Sequence, residues 1–369
     1  MLTAEQQALQ QAARDFAAGE MAPFAAEWDA KSHFPIDVIK KAGDLGFCGL
    51  YAPEKHGGLG LTRLDGAVIF EELSRACPST AAYITIHNMV VWMLSTWGTE
   101  KFLAEWIKPM ASGQKLGSYC LTEPGSGSDA ASLKTRAEKT DGGWKIFGSK
   151  AFISGAGSTD LLIVMARSGA EGPKGISAFA VPADSAGIVY GRKEEKMGWN
   201  SQPTRQISFD GVFVPEHHLL GAEGEGFTLA MKGLNGGRIN IAACSLGGAA
   251  AALDAAVDYM KTRQQFKKPL ADFQGLQFKV ADMATHLTAA RQMVHLAAQK
   301  LDNQAPDAPA CCAMAKRFAT DLCFDVANDA LQLHGGYGYI KDYPLERYVR
   351  DLRVHQILEG TNEIMRVVI

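Results

Sequence analysis

The sequence lacks the features that mark a nucleic-acid-binding or membrane-spanning protein. Its 37 lysines and arginines are outnumbered by 40 acidic residues, for a net charge of -3, and the basic residues form no long run. The basic stripe that nucleic acids favour is therefore missing. No uninterrupted apolar run reaches the ~20 residues that cross a bilayer. Residues 1–6 show no charged segment leading into an apolar one, so we predict no secretory signal peptide.

The arrangement of cysteine and histidine argues against disulfide and metal sites. The seven cysteines form no CxxC pair and lie mostly among apolar or small residues, which favours buried free thiols in a reducing compartment. His217 and His218 follow Pro215-Glu216 without metal-ligand spacing, so we predict that both lie at the surface. The chain is 47% hydrophobic and 21% charged, which is ordinary for a soluble globular protein.

The spacing of apolar residues changes twice along the chain. Residues 1–115 show helical spacing, residues 116–225 hold short β-branched runs bounded by Gly, Pro, Ser and Asp, and helical spacing returns from 226. We therefore predict a mainly α fold with three domains: an N-terminal helical domain (1–115), a central β domain (116–225) and a C-terminal helical bundle (226–369). Within the β domain, Asp210-Gly211 predicts a β-hairpin.

Apolar stripes predict two long helices in the last domain. The first stripe steps by four and three residues, as in a helical bundle, and comprises Leu276, Val280, Met283, Leu287, Ala290, Val294, Ala297 and Leu301. The second comprises Met314, Phe318, Leu322, Val326 and Ala330. It ends at His334-Gly335-Gly336, where glycine can cap the helix C-terminus.

Glu359 is the most informative single residue. It ends an apolar run and precedes Gly360, which allows a sharp turn, and Thr361 or Asn362 can cap a following helix. A carboxylate at such a corner loses water, so its pKa rises and it can accept a proton from a weak carbon acid. Taken alone, the stretch fits an ordinary helix-end Glu before a glycine cap better.

Two glycine-rich segments offer backbone to a ligand. Residues 119–129 half-match a dinucleotide fingerprint, but further strands follow where a helix is required, so we reject that fold. This segment can hold a flavin edge or an acyl-CoA phosphate chain, or it is a surface turn. Gly236-Gly237, inside a helical pattern, requires a close neighbour, either a packed helix or a ligand, and Arg238 can steady an anion beside it.

Taken together and in this order, these segments resemble the acyl-CoA dehydrogenase family over essentially the whole chain. The signature segments are 119–129, 152–155, 263–266, 332–339 and 357–363. The resemblance implies a helical N-terminal domain, a central β-barrel-like domain and a C-terminal four-helix bundle. It also implies bound FAD and a homotetramer with each FAD near a subunit interface.

The resemblance also implies roles for individual residues. The flavin ring is expected against Tyr119, Leu121, Thr122, Gly127, Ser128, Phe152, Ile153 and Ser154, with Ser128 also touching the acyl-CoA. The substrate is expected at Asn235, Gly236, Gly237 and Arg238. The FAD pyrophosphate and adenine are expected, partly across the interface, at Arg263, Phe266, Phe273, Gln274, Gln332, Leu333, His334, Gly335 and Gly336. Thr361, Asn362 and Glu363 are expected to touch FAD again.

Glu359 matches the catalytic base of the family. The implied reaction is α,β-dehydrogenation of an acyl-CoA, in which Glu359 removes the α proton while a hydride passes to flavin N5. Electrons then leave to an electron-transferring flavoprotein. Some members carry the base near the stretch 235–238, which here offers no carboxylate.

A narrower likeness, in segments 149–157, 198–205 and 234–242, points to a short branched substrate. Isobutyryl-CoA, an intermediate of valine breakdown, is the first expectation, and 2-methylbutyryl-CoA and butyryl-CoA are alternatives. An acyl-CoA oxidase and a non-catalytic helical scaffold are the rival interpretations. We expect a bacterial cytoplasmic protein, or a mitochondrial matrix protein if the chain is a processed form.

Overall fold

A computed structural model describes residues 2–369. The first part of the chain is helical. Threonine side chains cap two of its helices in complete capping boxes, Thr3 with Gln6 and Thr62 with Asp65, so those helices begin where backbone N–H groups find acceptors. The helices are α1 (Ala4–Phe16), α2 (Ala25–Lys31), α3 (Ile36–Asp44), α4 (Arg63–Ala76), α5 (Pro78–Trp97) and α6 (Glu100–Ala111).

The middle of the chain forms one eight-stranded sheet. Its strands are β1 (Gly117–Cys120), β2 (Arg136–Thr140), β3 (Gly143–Ser154), β4 (Leu161–Arg167), β5 (Ile176–Pro182), β6 (Ile188–Lys193), β7 (Thr204–Pro215) and β8 (Leu219–Leu220). The order is β6-β7-β3-β2-β4-β5-β8, and β1 pairs in parallel with β4. Strands β4 and β5 are buried almost along their length, which means that structure covers both faces of the sheet there.

The predicted hairpin at Asp210-Gly211 is wrong. Strand β7 continues through both residues. Its register with β3 shifts here: Ile146 pairs with Val212, whereas the next residue, Phe147, pairs with Asp210. Gly211, with φ of 67°, is the extra residue of a β-bulge. The positive φ that a hairpin turn needs is thus used to bend a long strand.

The last part of the chain is helical again. Its elements are α7 (Gly226–Thr262), the hairpin strands β9 (Gln264–Gln265) and β10 (Lys268–Pro269), α8 (Gln274–Asp302), α9 (Ala308–His334), α10 (Gly336–Tyr339), α11 (Leu345–Arg353) and α12 (Asn362–Val368). The predicted mainly α fold with a central β region is confirmed. Gly335, with φ of 60°, ends α9 as expected.

The two predicted stripes differ in outcome. On α8 the stripe faces the core, with Met283, Leu287 and Ala290 buried. On α9 the second half of the stripe faces the core, with Val326 and Ala330 buried, whereas Met314 in the first half is 36% exposed and Cys312 and Lys316 are fully buried instead. The buried face changes along α9 because this helix packs against α7, α8, α11 and α12, so more than one of its faces is covered.

Helix α7 is unusually long and apolar. Of the helices within residues 2–369, it alone is long and apolar enough to cross a membrane, although no unbroken apolar run of that length exists. In its most apolar 18-residue window, 78% of the residues are buried inside the protein, as in the core helix of a soluble protein.

The prediction that His217 and His218 lie at the surface is wrong for His218, whereas the predicted buried free thiols are largely found. His218 is buried, contrary to expectation, and its Nδ1 lies 2.8 Å from the carbonyl oxygen of Ala180. Six of the seven cysteines are buried free thiols, and Cys311 is half-buried. Within residues 2–369 no cluster of metal-ligating side chains occurs.

Gly247 on α7 is predicted to be intolerant of any side chain. A Cβ there would overlap the backbone carbonyl oxygen of Glu71 on α4, which cannot swing aside. We expect Gly247→Ala to lower the free energy of unfolding in urea by about 1–3 kcal/mol or more. Gly233→Ala on the same helix is the control, because its nearest neighbour is the flexible Met93 at 3.3 Å. Equal stability of the two variants would contradict this account of the packing.

Candidate functional site

Glu359 occupies a strained turn between helices. A single 3₁₀ turn (Val354–Gln356) precedes it, and the hydroxyl oxygen of Thr361 accepts from the N–H of Ile364 to cap α12. Glu359 itself has φ of 56°, followed by Gly360 at 88°. A left-handed conformation costs a residue other than glycine about 1–3 kcal/mol, so surrounding contacts must hold Glu359 there.

The carboxylate of Glu359 lies directly against Gly237 of α7. A Cβ at Gly237 would stand only 2.6 Å from Oε2 and 3.0 Å from Oε1. Oε2 is buried and has no hydrogen-bond partner among the described residues, and the same is true of the hydroxyl of Tyr119. Buried polar atoms without partners are rare in folded proteins and mark a place where a ligand can supply them.

Burial raises the pKa of Glu359 to about 7, even though Arg238 and Lys316 both act to lower it. Loss of water outweighs the two cations because neither is hydrogen-bonded to the carboxylate. Burial, with a smaller contribution from Glu359, raises the pKa of Tyr119 well above its usual value. A carboxylate with a pKa near neutrality is suited to general-base chemistry at physiological pH.

Two cations hold the backbone of the Glu359 turn. Arg238 donates from Nε to the carbonyl oxygen of Glu359 at 3.4 Å and from Nη1 to Asn235 Oδ1 at 2.8 Å. Lys316 donates to the carbonyl oxygen of Gly360 at 2.9 Å and to Asn362 Oδ1 at 2.8 Å. Sequence reasoning missed Lys316, because it stands next to Arg317 and such a basic pair on a predicted helix carries no distinctive signal of burial.

Gly236 makes room for a second side chain. A Cβ there would lie 2.5 Å from Nη1 of Arg63, whose guanidinium stacks over the rings of Tyr51 (3.9 Å) and Trp92 (4.6 Å). The close neighbour at Gly236 is therefore a side chain of the packed helix α4, as one of the two sequence alternatives held, and the neighbour at Gly237 is Glu359.

The segment after β1 is held by a buried ion pair. Lys150 of β3 contacts Glu123 at 2.8 Å, and Glu123 also accepts the N–H groups of Lys134 and Thr135 at 2.7 and 2.9 Å. This pair fixes the loop that carries Thr122, Gly127 and Ser128. Gly127 and Ser128 are exposed.

The predicted flavin-facing stretch of β3 mixes exposed and buried residues. Phe152 has φ of 59° at a register shift of β3, and its side chain is 70% exposed. The neighbouring Leu121 and Ile153 are buried, and the Ser154 carbonyl accepts from Ser118 Oγ at 2.7 Å.

A separate pocket of about 600 Å³ lies where α7 and α9 end. It collects Arg263 and the predicted residues Gln332, Leu333, His334, Gly335 and Gly336, whereas Phe266, Phe273 and Gln274 lie outside its lining. Phe266 is 88% exposed at the tip of the β9–β10 hairpin, at 6.2 Å from the ring of Phe273.

The chemistry of this pocket suits an anionic, partly aromatic group. Its lining includes the cations Arg263 and Lys279 and no carboxylate. His334 is stacked on Tyr259, and its Nδ1 lies 2.9 Å from the Ala330 carbonyl, which leaves Nε2 without a partner. Because an Nδ1–H donor implies a free acceptor at Nε2, the ring can receive a hydrogen bond from a ligand. These residues fit the pyrophosphate and adenine of FAD.

A smaller cavity of about 200 Å³ is lined by Thr361, Asn362 and Glu363, together with residues of α9 and α11. The side chain of Asn362 is already committed to the protein: it accepts from Lys316 and donates to Thr320 at 2.9 Å and Asp321 at 2.6 Å. Any ligand contact of Asn362 therefore has to come from its backbone.

The predicted site residues are thus brought together in separate groups. Glu359 meets Gly237 and Arg238 about a third of the way along α7, and Arg263 directly follows the C-terminal end of that helix. About 25 residues of helix separate Arg238 from Arg263, or roughly 38 Å at 1.5 Å per residue.

Models of the acyl-CoA dehydrogenase N-terminal, middle and C-terminal domains match residues 3–114, 118–212 and 224–369. Isobutyryl-CoA dehydrogenase of Bos taurus, described as mitochondrial, is 53% identical over 100% of this chain and 88% of its own length. The mitochondrial isobutyryl-CoA dehydrogenase of Dictyostelium discoideum is 54% identical over 100% and 89%.

Solved structures agree with these relatives. Butyryl-CoA dehydrogenase from Megasphaera elsdenii superposes with a TM-score of 0.96 at 39% identity, over 100% of this chain and 97% of that one. A chain from structural work on the electron transferring flavoprotein of Acidaminococcus fermentans gives 0.96 at 40%, with the same coverage. The chain therefore belongs to the acyl-CoA dehydrogenase family and is an FAD-dependent oxidoreductase.

Proposed function

We propose that the protein oxidises isobutyryl-CoA to methacrylyl-CoA, with Glu359 as the base that removes the α proton. The observation that carries this proposal is the buried carboxylate of Glu359, which lies against Gly237 with Oε2 unpaired and a pKa of about 7. The choice of substrate is supported by the two relatives named isobutyryl-CoA dehydrogenase, at 53% and 54% identity.

The side chains around Glu359 define its task. Its carboxylate lies against Gly237, where α7 carries no side chain, and the unpaired Oε2 is the atom proposed to take the α proton of the thioester. Bound FAD supplies the acceptor for the hydride from the β carbon. The cations Arg238 and Lys316 stay on the backbone side, where they favour the ionised form of the carboxylate without blocking it.

FAD is proposed to bind between copies of the chain in a homotetramer. The pocket at Arg263 and His334 fits pyrophosphate and adenine, yet about 38 Å of helix separates it from the base, so we assign it to the FAD of a neighbouring subunit. Residues 119–128 and 152–154 would then face the flavin within the subunit, and 361–363 would contact FAD through backbone and Thr361. A division into three domains at about residues 115 and 225 accords with this scheme.

The electrons are proposed to leave to an electron-transferring flavoprotein, which the likeness to a chain from the Acidaminococcus fermentans work supports. The mitochondrial names of both relatives favour the mitochondrial matrix, with a bacterial cytoplasm as the alternative.

Replacing the base tests its role directly. We expect Glu359→Gln to retain FAD and bind acyl-CoA but to reduce the flavin at least ~10²-fold more slowly, because proton abstraction is lost. In the wild type the same rate, measured anaerobically by flavin bleaching, rises as pH passes through about 7, because the ionised carboxylate is the active form. A Gln variant that bleaches at the wild-type rate would remove Glu359 from the mechanism.

Gly237 tests the geometry of the base. An Ala Cβ there would press on the end of a flexible side chain, so the protein can fold while the carboxylate turns away. We expect Gly237→Ala to slow flavin reduction by about tenfold or more with little change in melting temperature. Gly233→Ala, on the same helix, is the matched control and is expected to keep the wild-type rate.

The substrate assignment is tested by a panel of acyl-CoAs. Isobutyryl-CoA and butyryl-CoA are isomers that differ in the position of one methyl group, and fitting or rejecting a group of that size is worth about 1–3 kcal/mol, so isobutyryl-CoA is expected to bleach the bound flavin roughly tenfold or more faster than butyryl-CoA. Faster bleaching by butyryl-CoA or 2-methylbutyryl-CoA would reassign the substrate. Peroxide formed in air at the rate of turnover would indicate an acyl-CoA oxidase.

A further inference from the structure

Lys316 is a buried cation without a hydrogen-bonded carboxylate. Its side chain is fully buried on α9, and its ammonium donates only to a carbonyl oxygen and an amide oxygen. Lys150, the other fully buried lysine in residues 2–369, forms an ion pair with Glu123. Burying an unpaired charge costs several kcal/mol, and an apolar residue of similar size would pack at lower cost. The contacts of Lys316 must therefore serve something other than packing.

Both acceptors of Lys316 belong to the turn that carries the base. One is the carbonyl oxygen of Gly360, directly after Glu359, and the other is the side chain of Asn362 at the start of α12. Arg238 approaches the preceding carbonyl, that of Glu359, from α7. The two cations thus donate hydrogen bonds to the carbonyl oxygens of two consecutive residues in a turn where Glu359 adopts a left-handed conformation.

We infer that Lys316 is a positioning residue for the reaction: its two hydrogen bonds keep the Glu359–Gly360 turn left-handed and so aim the Glu359 carboxylate at Gly237. This inference rests on the proposed role of Glu359 as the base. Without these bonds, the turn loses the contacts that offset about 1–3 kcal/mol of backbone strain, and Glu359 can relax to an ordinary conformation with a different side-chain direction.

The charge of Lys316 acts on the same carboxylate. Burial lowers the pKa of Lys316 to about 8, while Glu359, and more weakly Asp321 and Glu363, raise it, and Arg238 lowers it. Glu359 in turn faces Arg238 from α7, Lys316 from α9 and the hydroxyl of Tyr119 from β1. Because the Lys316 cation lowers the pKa of Glu359, its removal must raise that pKa and leave less ionised base at pH 7.

The test uses the FAD-loaded enzyme and isobutyryl-CoA under anaerobic conditions. We expect Lys316→Met to slow flavin reduction by about tenfold or more at pH 7, with a much smaller change in acyl-CoA affinity. The midpoint of the rate–pH profile moves to higher pH. In Lys316→Gln the amide still donates to Gly360 without charge, so the rate above the midpoint recovers while the midpoint remains raised. If the Met variant does not retain FAD, the raised midpoint of the Gln variant alone tests the inference.

A second readout follows the carboxyl group itself. The infrared C=O band of protonated Glu359 can be identified because it is missing from Glu359→Gln. In protein without substrate, the intensity of this band reports how far Glu359 is protonated at each pH. The pH midpoint of that titration is expected to rise in both Lys316 variants. Lys196→Met is the matched control, since Lys196 also has a pKa lowered to about 8 and donates to Gln202 O and Thr204 Oγ1, away from the turn. It is expected to move neither midpoint.

A purely structural role for Lys316 predicts a different pattern. Its variants would then melt at lower temperature but reduce flavin at the wild-type rate with unmoved midpoints, and that result overturns the inference. Failure of the proposed function is distinguishable, because it appears as an active Glu359→Gln variant whatever the Lys316 variants do.

Discussion

The close approach of other groups to the backbone of α7 is the constraint on which the rest of the structure depends. At four glycines of this one helix, neighbours occupy the place where a side chain would be: backbone of β5 at Gly226, Arg63 at Gly236, Glu359 at Gly237 and backbone of α4 at Gly247. Each glycine weakens a helix by about 0.5–1 kcal/mol relative to alanine. The helix tolerates this because the sheet, the N-terminal helices and the Glu359 turn all pack on it.

The electrostatics of the site follow from that packing. Pressing Glu359 onto a bare helix surface strips water from its carboxylate, which raises the pKa, and the cations beneath the turn limit the rise. Had Arg238 or Lys316 bonded the carboxylate itself, the proposed base would be both weaker and occupied. Because the cations bind the backbone carbonyl oxygens, the turn is fixed while the carboxylate stays free. A salt bridge to the carboxylate would fix the turn but occupy the carboxylate.

Sequence reasoning succeeded where the information was local. The spacing along α8, the glycine cap after His334 and the corner at Glu359–Gly360 depend on neighbours within a few residues. It failed where partners lie far away in the chain. Gly211 is a bulge because of its register with β3. His218 is buried at a place where its Nδ1–H can donate to the carbonyl oxygen of Ala180. The first half of the α9 stripe departs from the prediction because α9 packs against α7, α8, α11 and α12. The side chains that contact Gly236 and Gly237 are those of Arg63 and Glu359. These residues are too far from the glycines in sequence for any spacing rule to connect them.

In the proposed scheme, the length of α7 also links catalysis to assembly. The N-terminal third of this helix carries the surface on which Glu359 rests, and the C-terminal end leads into the cation-lined pocket of Arg263. A rigid helix keeps the two about 38 Å apart, so no bending within one chain can bring that pocket to the base. If the Glu359 site and the Arg263 pocket both bind FAD, as proposed, the Arg263 pocket of one subunit must complete the FAD site of another subunit. A mutation that separates the subunits would then empty the flavin site without touching Glu359.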